Sequence, residues 1–183
     1  MREIFFALWF FAPAGLANVM AFASGKIPFL KPFHYPVDFK LHFQGKRILG
    51  NHKTVRGFLI GTFSSIVATW LQAYLYHQFA WFSTWSFVNY DEVNPILLGF
   101  LLGFGALLGD AVKSFFKRRR GLQPGRSWVP FDQIDYIVGG IILSYFYLQL
   151  FWYEYIVIFI LWLIIHPTAS YIGYILKLKR RAL

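Results

Sequence analysis

Five long apolar runs limit what this chain can fold into. Each run is close to the roughly 20 residues that a helix needs to cross the hydrocarbon of a bilayer. Backbone N–H and C=O groups in lipid must bond within their own segment, so such runs predict helices rather than open strands. We therefore expect an all-α integral membrane protein, with residues 1–183 forming a single transmembrane domain of about five helices. The predicted spans are residues 4–23, 58–79, 95–116, 134–153 and 155–176.

The fourth and fifth runs are separated only by Tyr153-Glu154-Tyr155, which predicts a tight helical hairpin with its corner there. Charged residues make up only 14% of the chain, whereas soluble proteins average about 25%. The chain contains no cysteine, which excludes disulfides, thiolate metal sites and cysteine nucleophiles. The composition thus agrees with a membrane protein and leaves the redox compartment open.

The formal net charge of +10 follows a topological pattern. Apart from Arg2, the basic residues lie in three segments. These are residues 24–57, the end of the third run together with the loop 117–133, and the C-terminal tail. Five spans place all three segments on one side, and the positive-inside rule makes that side cytoplasmic. We expect an outside N-terminus, a cytoplasmic C-terminus and a multi-pass protein of the cell membrane. Topology accounts for the cations, so no nucleic acid is expected as a partner.

The first run ends in Ala21-Phe22-Ala23, which resembles a signal-peptide cleavage site. The run is longer than a signal core, and no soluble domain follows it. Its removal would also leave the basic residues of 24–57 on the outer side. We therefore interpret it as a membrane span.

Three of the eight acids border the second basic loop, namely Asp110, Asp132 and Asp135. A carboxylate at membrane depth is costly unless it is paired, hydrated or bound to metal. Helical spacing puts Asp132 and Asp135 on one face if a helix begins near Pro130. Simpler explanations are an ion pair of Asp110 with Lys113 or Lys117, and Asp132 as a helix N-cap. Oxygen ligands of this kind also suit Mg²⁺, so a metal site is the alternative.

The first basic loop contains glycines, cations, Asn51 and Thr54 between Gly45 and Gly57, which are ingredients of a phosphate-binding loop. It is not a P-loop, because Asn51-His52 follows Gly50 where Lys and Thr or Ser should stand. A solvated loop that sets topology is an equally good interpretation.

Two motifs in order resemble a known signature. Ser114-Phe115-Phe116-Lys117-Arg118 followed by Asp132-Gln133-Ile134-Asp135 is similar to the C-terminal signature of CTP-dependent lipid cytidylyltransferases. Together with Lys53-Thr54-x-x-Gly57 and Gly109-Asp110…Pro124-Gly125, the whole chain more specifically resembles the CDP-archaeol synthase family and its bacterial relatives. Arg126-Ser127-Trp128 departs from the larger phosphatidate cytidylyltransferase family, which has a Lys-Asp pair and His-Gly-Gly between the two runs.

The resemblance implies that CTP and a lipid phosphate are joined to give a CDP-lipid and pyrophosphate, with Mg²⁺ as cofactor. In archaeal members the lipid is the geranylgeranyl diether of glycerol phosphate. Our hypothesis gives Asp110, Asp132 and Asp135 the catalytic and metal-binding roles. Substrate binding is assigned to Asn51, Lys53, Thr54, Ser114, Lys117 and Arg118. The alternatives are a transporter or flippase of an anionic lipid, or a relative acting on phosphatidate. The oligomeric state stays open.

Overall fold

The computed structural model describes residues 1–123 and 126–175. Its helices are α1 (Arg2–Ala23), α2 (Val55–Gln78), α3 (Ala80–Trp85), α4 (Pro95–Arg119), α5 (Phe131–Tyr145) and α6 (Trp152–Ile175). A 3₁₀ turn at Pro28–Leu30 and a hairpin of β1 (His42–Phe43) and β2 (Lys46–Arg47) lie between α1 and α2. Pro124-Gly125, the end of the predicted fifth span and the basic C-terminal tail lie outside the described residues.

The fold is mostly helical, as the apolar runs predict. Among the described residues, three helices are long and apolar enough to cross a membrane, namely α1, α2 and α4. They overlap the first three predicted spans. In α6, a shorter apolar stretch covers residues 152–168. The N-terminus of α2 is capped by Thr54, whose hydroxyl accepts the Gly57 N–H at 3.2 Å. Asn94 caps α4 in the same way, and Pro95 occupies the first turn, where a missing N–H costs nothing.

Helix α4 packs between α2 and α5, and glycines make both contacts close. A Cβ on Gly99 would lie 2.7 Å from Ile66 Cα of α2. On the other side, a Cβ on Gly105 would lie 2.5 Å from the Gly139 carbonyl oxygen of α5. Gly109 is similarly tight against the backbone of Asp135 and Gly139. Since only hydrogen fits at these positions, the glycines allow the helices that carry the acidic residues to touch.

The connection between the fourth and fifth apolar runs differs from the prediction. Helix α5 ends at Tyr145, and α6 begins at Trp152. The intervening chain is held by the Tyr155 hydroxyl, which donates to Leu148 O at 3.1 Å and accepts from Leu150 N at 2.9 Å. Glu154 is not a corner residue, because its carboxylate accepts the Phe151 N–H at 2.8 Å in the first turn of α6. The predicted corner at 153–155 is therefore wrong, and residues 134–153 do not form one helix.

The first loop, residues 24–54, has a defined structure and contacts α4. Arg119, near the end of α4, donates from its guanidinium to the backbone carbonyls of Phe43, Lys46 and Arg47, the last at 2.7 Å. Its guanidinium carbon also lies 5.4 Å and 5.1 Å from the ring centres of Phe43 and Phe115. Arg119 thus docks the hairpin onto the end of the helix that carries Asp110, and Lys46 Nζ adds a hydrogen bond to Arg119 O at 3.1 Å.

Candidate functional site

Three carboxylates meet around one ammonium group where α4 and α5 touch. Lys113 Nζ lies 2.9 Å from Asp110 Oδ1, 2.7 Å from Asp132 Oδ1 and 2.5 Å from Asp135 Oδ2. The Lys113 side chain is only 12% exposed, and that of Asp135 only 5%. Asp110 is one residue from Gly109, whose close packing against Asp135 draws the two acids together. The structure therefore brings together all three acids that the sequence analysis selected.

Two further lysines pair with the same acids. Lys53, the residue before the N-cap of α2, forms an ion pair with Asp110. Lys117 lies 3.0 Å from Asp132 and donates to Arg126 O at 2.5 Å. The expected pairing of Asp110 with Lys113 is confirmed, but its second partner is Lys53 and not Lys117.

The carboxylates of α5 are held in place by backbone amides. Asp132 Oδ2 accepts the Trp128 N–H at 2.5 Å. Asp135 Oδ1 accepts the Tyr136 N–H at 2.7 Å. The N-cap position of α5 belongs to Pro130, so the prediction of Asp132 as the N-cap is wrong. Asp132 lies instead in the first helical turn, where the helix dipole stabilises a negative charge.

A cavity of about 460 Å³, which we call the polar cavity, opens beside this cluster between α1, α2, α4 and the first loop. Six of the predicted site residues line it: Lys53, Thr54, Asp110, Ser114, Lys117 and Arg118. The Ser114 hydroxyl donates to Asp110 O at 2.8 Å, and Thr54 caps α2, so both hydroxyls also have structural roles. Arg118 Nε is buried and has no hydrogen-bond partner among the residues that the structure describes.

Asn51 is not part of this cavity lining. It is exposed, and its Oδ1 accepts from Arg47 Nη1 at 2.9 Å. The cavity includes three polar residues that the sequence analysis did not assign to the site: Asn18, His52 and Lys113, the last of which was expected only as an ion-pair partner of Asp110. Asn18 is the only polar residue between Ile4 and Ala23, and that isolation was a usable signal. No such signal marks His52, because its spacing to other histidines matches no metal motif.

An apolar cavity of about 540 Å³ lies on the other side of α4, between that helix and α5. Its wall includes the row Leu108, Val112 and Phe116 from α4, with Ile134 and Val138 among the residues from α5. Asp135 also lines this cavity. Lys113 lines both this cavity and the polar one. The carboxylate cluster thus lies at the boundary between a polar space and an apolar space.

The carboxylate cluster has the oxygen donors that a hard divalent cation takes, although Lys53, Lys113 and Lys117 now offset its negative charge. The three acids supply oxygen donors that all reach one point, at present the Lys113 ammonium. Asp135 Oδ2 is buried and receives no well-formed hydrogen bond from the described part of the chain, although it lies 2.5 Å from Lys113 Nζ. Across residues 1–123 and 126–175, no three His, Cys, Asp or Glu side chains form a metal site as they stand. The donor set is therefore of the chemical type that Mg²⁺ takes.

Asp38 organises the loop that carries Lys53 and Thr54. Its carboxylate, whose side chain is completely buried, accepts from Arg47 Nη2 at 2.6 Å and from the N–H groups of Leu49 and Gly50 at 2.9 and 3.0 Å. Burial alone would raise the pKa of Asp38, but the Arg47 guanidinium and these amides lower that pKa to about 2. The neighbouring Val37 N–H donates to Lys53 O at 2.8 Å. The Asp38 network therefore connects directly to the segment that delivers Lys53.

Comparison with known proteins gives consistent matches. A family model described as "CarS-like: CDP-archaeol synthase" matches residues 1–182. The protein named CDP-archaeol synthase from Methanopyrus kandleri is 35% identical over 179 residues, or 94% of this chain and 89% of the relative. The protein of that name from Sulfolobus acidocaldarius is 32% identical over 182 residues, or 98% of each chain.

A solved structure is also similar to this chain. It is described as "Structural insight into an intramembrane enzyme for archaeal membrane lipids biosynthesis". The TM-score is 0.69 at 25% identity, and the match covers 90% of this chain and 92% of the other. With its apolar helices, this match identifies the chain as a multi-pass membrane protein.

Proposed function

Because the chain belongs to the CDP-archaeol synthase family, we propose that it transfers the cytidylyl group of CTP to 2,3-bis-O-geranylgeranylglycerol phosphate. The products are the CDP-lipid and pyrophosphate. The reaction is placed at the cytoplasmic surface of the cell membrane, in line with the positive-inside distribution of the basic loops. A CTP-dependent lipid cytidylyltransferase is the broader class to which this reaction belongs.

One observation carries the proposal: a cluster of three carboxylates and several cations separates a polar cavity from an apolar one. The reaction must bring a water-soluble triphosphate together with a phosphate attached to lipid tails. The polar cavity, of about 460 Å³, supplies cationic partners for the triphosphate from Lys53, Lys117 and Arg118. The apolar cavity, of about 540 Å³, opens beside Asp135 and suits the chains next to the lipid head group.

The chemistry needs charge control more than a strong base. An oxygen of the lipid phosphate attacks the α-phosphorus of CTP, and the bond from that phosphorus to the bridging oxygen of pyrophosphate breaks. Both reactants are anions, so the main obstacles are their mutual repulsion and the charge that develops on the leaving group. Lys53, Lys117 and Arg118 offset these charges in a partly desolvated site, where electrostatic interactions are stronger than in water.

Mg²⁺ is the proposed cofactor, and Asp110, Asp132 and Asp135 are the residues that would hold it. When bound, the ion would neutralise phosphate charge and assist departure of pyrophosphate. The carboxylates also keep the lysines oriented before substrates arrive, because every one of them forms an ion pair with at least one lysine.

A transporter would need polar groups along its path through the membrane. In the part of the chain that the structure describes, the acids and lysines of this cluster lie together at one end of α4 and α5. This placement favours chemistry at an interface over transport.

Pyrophosphate release in detergent tests the proposal. The purified protein is mixed with CTP and Mg²⁺, and then in separate reactions with archaeal-type diether phosphate, phosphatidate, polyprenyl phosphate or no lipid. We expect release only with CTP and the diether phosphate together. Release with phosphatidate instead would change the lipid assignment, and no release with any lipid from protein that binds no CTP would reject the enzyme class.

Asp135→Asn tests the carboxylate cluster. We expect turnover to fall by about a hundredfold or more, because a neutral amide removes charge from the proposed metal site. The matched control is Asp91→Asn, an exposed acid on the connection between α3 and α4 whose carboxylate lies 3.5 Å from Nδ1 of His77 in α2. Near-normal activity of Asp135→Asn, with thermal stability equal to that of the parent protein, would remove Asp135 from the catalytic set.

A further inference from the structure

Lys113 occupies the position at which the three acids converge. Its ammonium lies within 3 Å of an oxygen from each of Asp110, Asp132 and Asp135. These carboxylates come from two helices, and like charges at such short range would repel one another without a cation between them. Lys53 and Lys117 each pair with one of these acids, and Lys113 is the counter-ion that all three share in the folded protein before any ligand binds.

The same ammonium has to leave before the carboxylates can share a divalent cation. Two charged groups cannot occupy one point, and the Asp135 oxygen that faces Nζ has no hydrogen-bond partner elsewhere in residues 1–123 and 126–175. The lysine side chain is long and flexible, and Lys113 lines both the polar and the apolar cavity. A rotation of its side chain can therefore carry the charge toward either space without movement of the helix.

We propose that Lys113 is a mobile catalytic cation. It holds the carboxylates together in the free protein, exchanges with the divalent cation when CTP enters, and then binds the phosphate of the lipid at the edge of the apolar cavity. This inference rests on the proposed function, because it assigns a residue to the lipid phosphate of that reaction. It also explains how carboxylates facing a lysine can become a metal site.

Direct metal binding tests the exchange without relying on turnover. Full-length protein in detergent, free of nucleotide, is titrated with Mn²⁺, and free Mn²⁺ is measured by electron paramagnetic resonance. For Lys113→Met we expect the dissociation constant for Mn²⁺ to fall by about tenfold or more, because the competing ammonium is gone. Lys31→Met, which removes an exposed lysine of the first loop, should bind Mn²⁺ like the parent protein. Equal or weaker binding by Lys113→Met would overturn the exchange.

A second measurement covers the case in which Lys113→Met unfolds without metal. The variant is purified in Mg²⁺, and its unfolding temperature is compared in Mg²⁺ and in chelator. We expect a larger rise on adding Mg²⁺ than in the parent protein, because metal then supplies the only cation shared by the three acids. An equal or smaller rise would contradict the counter-ion role.

Steady-state kinetics test the lipid contact. In Lys113→Met the KM for the lipid phosphate should rise more than the KM for CTP, while Lys113→Arg should keep most of the lipid affinity. A rise confined to the KM for CTP would remove the lipid contact from the proposal.

If the parent protein makes CDP-lipid but Lys113→Met binds Mn²⁺ no more tightly, only the exchange fails. If the parent protein neither binds Mn²⁺ nor turns over, the proposed function fails and this inference falls with it.

Discussion

Asp38→Asn should loosen the loop that carries Lys53 while leaving the helices intact. The Asp38 carboxylate is fully buried, and its pKa falls from 3.8 to about 2. Since one pKa unit corresponds to 1.36 kcal/mol, this shift means that the folded loop prefers the carboxylate over the neutral acid by about 2 kcal/mol. Asparagine has nearly the shape of the neutral acid, so the substitution should forfeit a similar amount.

Hydrogen exchange at the amides of Leu49 and Gly50 measures this effect directly, since both N–H groups donate to Asp38. A loss of about 2 kcal/mol in local stability should raise their exchange rates by about thirtyfold. The KM for CTP should rise as well, because Val37, next to Asp38, bonds to the backbone of Lys53. Asp91→Asn, at an exposed acid, is the control.

The stability of the loop that Asp38 holds should depend on pH with a definite sign. A lowered pKa stabilises the folded loop above about pH 3.8, and this contribution is lost only as the pH falls through about 2. Exchange at Leu49 and Gly50, corrected for its intrinsic pH dependence, should therefore show constant protection from pH 5 to pH 8. Unchanged exchange in Asp38→Asn, or protection that disappears between pH 5 and pH 8, would refute the reasoning.

Two other substitutions test how the site is assembled. Gly109→Ala should reduce turnover and cost about 1–3 kcal/mol of stability, because its Cβ would overlap the backbone of Asp135 and separate α4 from α5. Thermal unfolding and activity assays measure both effects. The control is Gly25→Ala, whose added Cβ would lie 3.3 Å from its nearest neighbour. Arg119→Gln should raise the KM for CTP several-fold and expose the hairpin to limited proteolysis, because the guanidinium bonds to three loop carbonyls. Proteolysis at the rate of the parent protein would contradict this docking role.

The acidic cluster could be predicted because charge is rare in this chain. Carboxylates beside long apolar runs need partners, so Asp110, Asp132 and Asp135 were identifiable from one sequence. Their partners were harder to assign. Local helical spacing led to Lys113 for Asp110, but Lys53 is 57 positions away and belongs to another element. Only the packing of α2 against α4 brings that pair together.

The first loop was the least predictable part of the fold. Its glycines and cations indicated a phosphate-binding loop, and Lys53 and Thr54 do line the polar cavity. Asn51 belongs to the same glycine- and cation-rich segment, but its side chain accepts a hydrogen bond from Arg47 instead. The difference depends on Asp38, whose hydrogen bonds fix the direction of the chain at Leu49 and Gly50. No periodic pattern marks such a residue, because its partners are backbone amides of a short loop.

The arrangement around Lys113 follows from a conflict between folding and catalysis. A site for two anionic substrates needs carboxylates for a metal and cations for phosphates, yet the protein must also fold before either substrate is present. Buried carboxylates without a cation would oppose the close contact of α4 and α5 that Gly109 makes possible. A lysine between them removes that penalty with a charge that can later be transferred to a ligand. On this reasoning, the ion pairs of the free protein and the ligand contacts of the working enzyme use the same side chains in turn.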